Sequence, residues 1–262
     1  MFRYFKLYYH FFRNCLVRTM EFRFNSFILS SVQILWAGVL LGSLTLIFGQ
    51  VDSIAGWNEK EVLILAVVGM LFYDIMDLFV TENLQRFSHF IRHGEFDFVL
   101  LKPVNPRFMA SARYASFGTV LRLFVLIFVL LSLLKGAGVY PGVFEWFGFS
   151  FLLGAGLIIF YNIFFAVVTT NFWLINLFNF GDLFDRVVSS GRYPTDIFKG
   201  GLKSFFIYVI PIVLIATMPV LVLFGKAKPE FFWLAGGLVA ATSILSELFW
   251  RFALKHYQSA SS

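Results

Sequence analysis

The sequence predicts an all-α, polytopic membrane protein with six transmembrane helices and an N-terminal interfacial amphipathic helix. The chain of 262 residues is 59% hydrophobic and only 14% charged, whereas soluble domains carry about 25% charged residues. Its apolar residues form six runs that approach or exceed the roughly 20 residues a helix needs to cross a bilayer. The runs are 26–48, 62–80, 115–134, 144–170, 202–224 and 231–252.

The character of these runs predicts helices. Backbone polar groups in hydrocarbon must bond to one another, so only helices and closed barrels span a membrane. The runs are continuous instead of alternating between apolar and polar residues, which excludes a barrel. The two longest polar connections, 82–113 and 181–203, are too short to form domains of their own.

Residues 1–24 do not form a further span, because cationic side chains recur along them. On a helical wheel most polar side chains fall on one side and most aromatic ones on the other. The polar side holds Arg3, Lys6, His10, Arg13, Asn14 and Arg18, and the aromatic side holds Tyr4, Phe5, Tyr8, Phe11, Phe12, Cys15 and Phe22. We expect a helix lying in the membrane interface. The alternative is a positive cytoplasmic anchor with no role beyond topology.

Lysine and arginine are distributed unequally between the two sides that six spans define. Sixteen of the 21 lie in the N-terminal segment, the second-to-third and fourth-to-fifth connections and the C-terminus, and four lie on the opposite side. Cytoplasmic segments carry such an excess. We therefore expect both termini in the cytoplasm. The expected divisions are an interfacial helix (1–24), a six-span transmembrane domain (25–254) and a cytoplasmic tail (255–262).

The fourth and fifth runs depart from a simple span. Apolar residues continue from 144 to 180, which indicates either a tilted helix or a second interfacial piece that begins near Asn171. The fifth run contains Pro211 and Pro219, and proline kinks a helix because it removes a backbone hydrogen bond. We expect a packed kink, and a broken helix beside a transport path is the alternative.

Four ionisable residues fall inside the runs: Asp74, Asp77, Arg122 and Glu247. Such groups are costly in a membrane and usually face a partner or water. Asp74 and Asp77 share a helix face, and Arg122 lies at a similar depth in the next run. We expect an Asp77–Arg122 or an Asp74–Arg122 pair that joins two helices. A polar lining of a conduction path is the alternative.

The sequence contains no recognised catalytic or cofactor motif. It lacks the phosphate-binding loop G-x-x-x-x-G-K-[ST], so we do not expect it to hydrolyse ATP, and it lacks G-x-S-x-G and H-E-x-x-H. His89 and His93 have the spacing of metal ligands and lie near Glu95 and Asp97, but two histidines are a weak signal. We predict a protein that is not an enzyme, with no catalytic residue, cofactor or metal.

Two stretches predicted to be cytoplasmic carry short motifs. Residues 94–106 read Gly-Glu-Phe-Asp-Phe-Val-Leu-Leu-Lys-Pro-Val-Asn-Pro, and residues 190–194 read Ser-Gly-Arg-Tyr-Pro. With the predicted layout they resemble permease subunits of ABC-2 type transporters, in the bacterial subfamily of uncharacterised substrate. In that subfamily G-(E/D)-x-D…L-x-(K/R)-P follows the second span and G-R-x-P precedes the fifth.

The resemblance implies a permease subunit of an ABC exporter in the bacterial cytoplasmic (inner) membrane. Such a subunit forms the translocation path with a second permease, more often a different chain than a second copy, and a separate ATPase drives it. Membrane lipids are the other expected partners, and nucleic acid is not. The residues implied in ATPase docking are Gly94, Glu95, Phe96, Asp97, Phe98, Lys102 and Pro103, and those of the second cytoplasmic motif are Gly191, Arg192 and Pro194.

Other interpretations remain open at this level. The 94–106 stretch would rest on lipid headgroups if it were only an amphipathic loop. Arg192 would either bond helix-end carbonyls or an acidic partner, or serve only as a positive cytoplasmic anchor. The chain as a whole would be a non-transporting membrane module, such as a sensor, immunity protein or assembly factor. An ion-coupled transporter that uses Asp74, Asp77 and Arg122 is a third class.

Overall fold

The computed structural model describes residues 2–174 and 180–257, and these residues form helices and connecting loops without a β-strand. Helix α1 (Phe2–Glu21) is separated from α2 (Arg23–Phe48) by a single residue. Part of its aromatic side faces the protein: the ring of Tyr4 contacts Phe108 and that of Phe12 contacts Phe117, at centroid distances of 5.0 and 4.7 Å, whereas Phe5 and Phe22 are exposed. The predicted amphipathic helix therefore packs on the connection that leads into the third run.

Helix α3 (Glu59–Met76) is the centre of the bundle. It begins with a capping box, in which Asn58 and Glu61 each accept a hydrogen bond from the other's backbone N–H. Every residue from 61 to 72 is buried. A π-helical turn (Asp77–Thr81) then joins α3 to α4 (Glu82–Arg92) without a break.

The remaining helices surround α3. In chain order they are α5 (Phe96–Leu100), α6 (Pro106–Ala112), α7 (Val120–Gly136), α8 (Val143–Thr169), α9 (Phe180–Ser190), α10 (Gly200–Tyr208), α11 (Thr217–Leu223) and α12 (Pro229–Lys255). Helix α3 packs along α7 and α2, whereas α8 packs along α12 and α11. Helices α2 and α12 are the least buried of the long helices in the described part of the chain.

Five largely helical segments among the described residues are long and apolar enough to cross a membrane. They are Arg23–Phe48, Glu59–Arg92, Pro106–Gly136, Val143–Phe172 and Pro229–Lys255. A bent pair of helices, α10 with Ile212–Leu223, makes a sixth apolar segment. The all-α, polytopic architecture predicted from the sequence is thus confirmed.

The fifth apolar run does not form one straight span, because its two halves meet at 62°. Near the start of α10, Lys203 donates to Asp196 (2.8 Å), which also accepts a hydrogen bond from the indole of Trp57 (3.1 Å). Just after α11, Lys226 donates to Glu61 (2.7 Å). Both ends of the bent pair therefore lie beside the amino-terminal end of α3, and the pair enters and leaves the bundle there.

The passage between α8 and α12 is made instead by α9 and the residues that follow it. Asp185 of α9 accepts a hydrogen bond from Tyr73 near the carboxyl end of α3, whereas Asp196 reaches Trp57 just before α3. The segment thus runs antiparallel to α3 along most of its length. This corrects the charge assignment, because Lys203 lies at the end of the bundle that the sequence analysis placed outside the cell.

The sequence does not predict that this segment runs along α3, because α9 is amphipathic. Its eleven residues include Asp182, Asp185 and Arg186, so it reads as a polar connection. The bent pair, in contrast, carries a single charged residue, Lys203, is otherwise mostly apolar, and has the length of a span. Hydropathy therefore marks the bent pair and passes over the neighbouring α9 segment that runs along α3.

The two prolines of the fifth run have different effects. Pro211 lies in the break between α10 and a 3₁₀ turn (Ile212–Leu214), whereas Pro219 is the third residue of α11, where its missing N–H would have no helical partner. The break packs tightly: a Cβ at Gly156 of α8 would lie 2.9 Å from the carbonyl oxygen of Leu214. The expected packed kink is thus a break at Pro211.

The fourth run ends as a helix earlier than its apolar sequence does. Helix α8 is followed by a 3₁₀ turn (Thr170–Phe172). The expected continuation to residue 180 falls partly on 175–179, which lie outside the described residues.

Candidate functional site

The first motif forms a short helix that is isolated from its neighbours by turns. Gly94 has a φ of 70° and ends the turn after α4, a conformation that glycine adopts without steric cost. Helix α5 then spans only five residues. Pro103 follows it in a loop, and its carbonyl oxygen accepts a hydrogen bond from Arg3 of α1 (3.0 Å). Helix α6 begins at Pro106, with Asn105 as its N-cap.

Phe96 fixes this short helix to the bundle. Its side chain is fully buried and contacts an aromatic cluster drawn from α4, the end of α8 and α12. Ring centroids lie 5.3 Å away at Phe87, 5.5 Å at Phe172 and 6.1 Å at Trp250. The sequence analysis treated Phe96 and Phe98 as equivalent docking residues, and the structure separates them.

The outer face of α5 carries the exposed apolar side chains. Phe98 is 67% exposed and Leu101 is 81% exposed. Glu95 and Lys102 flank them and are also exposed. An exposed apolar patch with charged neighbours is typical of a protein docking surface, and Phe96 supports this patch from beneath.

Asp97 faces the C-terminal end of the chain and not the solvent side of α5. Burial first, and then the neighbouring Asp97 carboxylate, raise the pKa of Tyr257 to about 12. The ring of Tyr257 also lies 5.3 Å from that of Phe96. Asp97 therefore helps hold the residues after α12 against α5.

Three of the four intramembrane charges take part in two separate ion pairs, and Asp77 takes part in neither. Of the two pairings left open by the sequence, the structure forms Asp74–Arg122: the Nε of Arg122 donates to Oδ2 of Asp74 (2.8 Å), and Nη2 donates to Oδ1. Asp74 is fully buried. Asp77 turns away and lies beside Ser116 in the connection before α7.

Glu247 has a partner that the sequence analysis missed. Arg107 of α6 reaches into the bundle, and its guanidinium donates to Glu247 (2.6 Å), to Asn162 (3.1 Å) and to Ser246 (3.0 Å). Arg251 donates to the second carboxylate oxygen of Glu247 (2.7 Å). Arg107 was counted among the cytoplasmic charges, and no local pattern shows that it turns inward.

Asn83 is another residue that sequence reasoning did not single out. Its amide nitrogen donates to the carbonyl oxygens of Phe79 (2.9 Å) and Tyr114 (2.6 Å). Its oxygen accepts hydrogen bonds from the backbone N–H groups of Arg113 and Tyr114. This single side chain joins the π-helical turn to the irregular segment before α7.

The second motif lies between helices and not in a cytoplasmic connection, which corrects the expectation. Gly191 packs against Ile215, because a Cβ there would lie 2.6 Å from that side chain. The backbone of Arg192 crosses α3 at Gly69, where a Cβ would lie 3.0 Å from the Cα of Arg192. Pro194 is buried and precedes a 3₁₀ turn (Thr195–Ile197).

Arg192 lies close to the buried charge pair. Its guanidinium lies over the ring of Tyr73 (5.3 Å to the centroid), and that of Arg122 lies near the same ring (5.7 Å). Both arginines line a cleft of about 320 Å³ between α2, α3 and α7. The other lining residues are Gln33, Trp36, Ala37, Val39, Leu40, Ser43 and Met70.

The histidine pair is engaged within its own helix end. The rings of His89 and His93 stack at 3.9 Å, and Nδ1 of His93 lies 2.9 Å from the carbonyl oxygen of His89. Within residues 2–174 and 180–257, no three histidine, cysteine or carboxylate side chains come together as a metal site would require.

Comparison with known proteins gives one match. The profile of a family described as "ABC-2 family transporter protein" matches residues 34–261, well over half of the chain. No match was found among curated proteins or among solved structures. This membrane-spanning chain, with its exposed α5 surface and buried charges, belongs to the ABC-2 family of transporter proteins and is a permease component of an ABC transporter.

Proposed function

We propose that this chain is the permease of an ATP-driven exporter, and that a separate ATPase subunit docks on α5. The observation that carries the proposal is that the first motif has one buried aromatic side chain and a separate exposed apolar surface. Phe96 anchors α5 in the aromatic cluster, while Phe98 and Leu101 present apolar surface outward between Glu95 and Lys102. A partner that binds these exposed side chains would move α4 and α12 with α5, because the aromatic cluster links the three.

The missing phosphate-binding loop supports the need for a partner. Without G-x-x-x-x-G-K-[ST] the chain has no cradle for nucleotide phosphates. ATP-induced closure of two docked ATPases would move the two α5 surfaces and rock the spans between inward-facing and outward-facing states. The charges buried along α3 would lie within the moving part.

Purification from native membranes tests the partnership. We expect the tagged permease in mild detergent to carry a second protein that contains a phosphate-binding loop and hydrolyses ATP. A preparation that is intact by size-exclusion chromatography but contains no such protein would favour a non-transporting module. Native mass spectrometry of the same complex gives the permease composition, and we expect two different permease chains.

Substitution of the exposed surface tests the docking site. The Phe98→Ala, Leu101→Ala double variant should stay folded, while the amount of bound ATPase falls by about tenfold or more, as for loss of an interface hot spot. The matched control is Leu121→Ala with Phe124→Ala, which removes exposed apolar side chains from α7 (40% and 68% exposed). Equal ATPase binding by both double variants would place docking elsewhere.

We also propose an orientation in the bacterial inner membrane. The N-terminus, α5 and the C-terminus lie in the cytoplasm, and α10 and α11 lie at the outer end. In a Cys15→Ser background, a membrane-impermeant thiol reagent added outside should label Ser53→Cys and Lys203→Cys but not Gly94→Cys. Labelling of Gly94→Cys alone would reverse the topology.

Transport direction needs a separate measurement because the cargo is not identified. We expect cells that express the complex to release a compound into the medium that cells without the permease retain. An ATPase variant with its phosphate-binding lysine replaced is the matched control. Greater uptake from the medium by expressing cells would indicate an importer.

A further inference from the structure

We propose that the cleft between α2, α3 and α7 binds an amphiphile with an anionic, hydroxyl-bearing head group, and that Arg192 and Gln33 hold that head. The role of the amphiphile as cargo rests on the proposed exporter function. Binding itself does not, because the site lies within this chain and needs no ATPase.

Two unsatisfied polar atoms carry the proposal. The Nε of Arg192 and the Oε1 of Gln33 are buried and have no hydrogen-bond partner among the described residues. Both residues line the cleft. A buried polar atom without a partner costs free energy. Both atoms are shielded from solvent, so these two side chains must turn toward the cleft for a ligand there to supply both partners. One ligand group must accept a hydrogen bond from the Nε of Arg192, and another must donate a hydrogen bond to the Oε1 of Gln33.

The charges around the cleft favour an anion. Arg122 is neutralised by Asp74. Arg192 has no carboxylate within 4.0 Å in the described part of the chain. Asp185, on the neighbouring helix α9, lies near enough to attract Arg192 electrostatically, but it accepts its hydrogen bond from Tyr73 and not from Arg192. A guanidinium surrounded by apolar helices binds phosphate or carboxylate oxygens strongly, because charge-assisted hydrogen bonds are little screened there.

The rest of the cleft favours an apolar tail. Ala37, Val39, Leu40 and Met70 line it, and Trp36 beside them is 69% exposed on the outer side of α2. The cleft follows α2 from residue 33 to residue 43, which is roughly 15 Å of helix. A chain-like apolar group has room to lie along α2 while its head reaches Arg192.

The depth of the site separates it from an ordinary headgroup position. Arg192 crosses α3 at Gly69, ten residues after Glu59 and therefore roughly 15 Å along the helix, near the middle of a hydrocarbon core of roughly 30 Å. A resting lipid keeps its head at the interface. An anionic head at this depth is in transit, so the ligand class is also the proposed class of cargo.

Trp36 provides an internal probe for the test. The permease alone, in nanodiscs, would be titrated with acyl-brominated phosphatidylglycerol, with brominated stearate and with brominated phosphatidylcholine, since bromine quenches indole fluorescence on contact. A parallel Trp36→Phe series isolates the Trp36 signal. We expect at least one anionic probe to quench Trp36 at about a tenfold lower mole fraction than phosphatidylcholine. The two-chain and one-chain probes distinguish a bilayer lipid from a free amphiphile.

Variants decide whether the cleft is responsible. Arg192→Gln should abolish the preference and Arg192→Lys should keep most of it, while Arg251→Gln, an exposed arginine on α12, should not change it. If Arg192→Gln does not fold, Gln33→Leu decides, and we expect its phosphatidylglycerol preference to fall about threefold for one lost hydrogen bond. Equal quenching by all probes, or a preference that survives these changes, overturns the proposal. ATPase docking on α5 would be unaffected by that result.

Discussion

The aromatic cluster beneath α5 and the polar cluster along α3 differ in how completely their side chains are packed and paired. Around Phe96 each ring packs against several others, and Asp97 is held beside Tyr257. Around Arg192 the polar groups are incompletely paired: one charge pair is satisfied, while a guanidinium Nε and an amide oxygen of two residues that line a cleft have no partner among the described residues. The difference separates a region that holds helices together from a region prepared for a ligand.

One continuous helical element connects the two regions. Helices α3 and α4 are joined by the π-helical turn Asp77–Thr81, with Arg192 packed on the first part and Phe96 on the second. π-Helical turns often occur at functional positions in helices. Asn83 fixes this turn to the segment before α7.

The largest expected effect is at the satisfied pair of the polar region. Asp74→Asn leaves the Arg122 guanidinium buried without its counter-charge, which costs about 3–5 kcal/mol. We expect a lower melting temperature in detergent, and the Asp74→Asn, Arg122→Gln double variant should lose less than the sum of the two single losses. Strictly additive losses would show that the pair is not coupled.

Asp77→Asn is the matched control for that cycle. Asp77 lies one turn from Asp74 but beside Ser116 and not beside Arg122. Its combination with Arg122→Gln should be additive within about 0.5 kcal/mol. Coupling of Asp77 equal to that of Asp74 would contradict the separation of the two carboxylates.

The second prediction compares two neighbours in the aromatic region. Phe96→Ala opens a cavity in a packed cluster and should destabilise the protein by about 3–5 kcal/mol. Phe98→Ala removes an exposed ring and should change stability by about 0.5 kcal/mol or less, while weakening ATPase binding. Both variants would be measured by thermal unfolding and by ATPase co-purification. If α5 docked through Phe96, then Phe96→Ala would keep its stability and lose the ATPase, and Phe98→Ala would keep the ATPase.

The sequence predicted the long helices well because twenty apolar residues in a row have few other structures available. It predicted the location of the first motif, but not that Phe96 points inward and Phe98 outward, because alternate faces of a five-residue helix look alike in sequence. The second motif was misplaced, since α9 carries the charges of a loop. Arg107 and Asn83 were missed, because their partners are distant in the chain.

The third prediction compares the stability contribution of a second cross-helix charge pair, Arg107–Glu247, with that of Asp74–Arg122. Glu247 is 38% exposed, and Arg107 keeps Asn162 and Ser246 as partners when the carboxylate is removed. Glu247→Gln should therefore cost only about 1 kcal/mol. A loss as large as that of Asp74→Asn, by thermal unfolding, would show that burial is not what distinguishes the two pairs.

The smallest effect is expected where a carboxylate is both satisfied and partly exposed. Burial alone would raise the pKa of Asp196, but hydrogen bonds from Lys203 and Trp57 outweigh it and hold that pKa below its ordinary value of 3.8. Because the folded pKa is lowered, the stabilisation is present above pH 3.8 and is lost as the pH falls through the folded value.

Trp57 fluorescence, isolated by comparison with Trp57→Phe, should therefore stay constant on acidification and change only below pH 3.8. Asp196→Asn should remove that acid transition and lower stability by at most about 1 kcal/mol. If the transition persists in Asp196→Asn, another group near Trp57 titrates there. A loss of several kcal/mol would mean that the Lys203–Asp196–Trp57 contact holds α10 against α3 as firmly as the aromatic cluster holds α5.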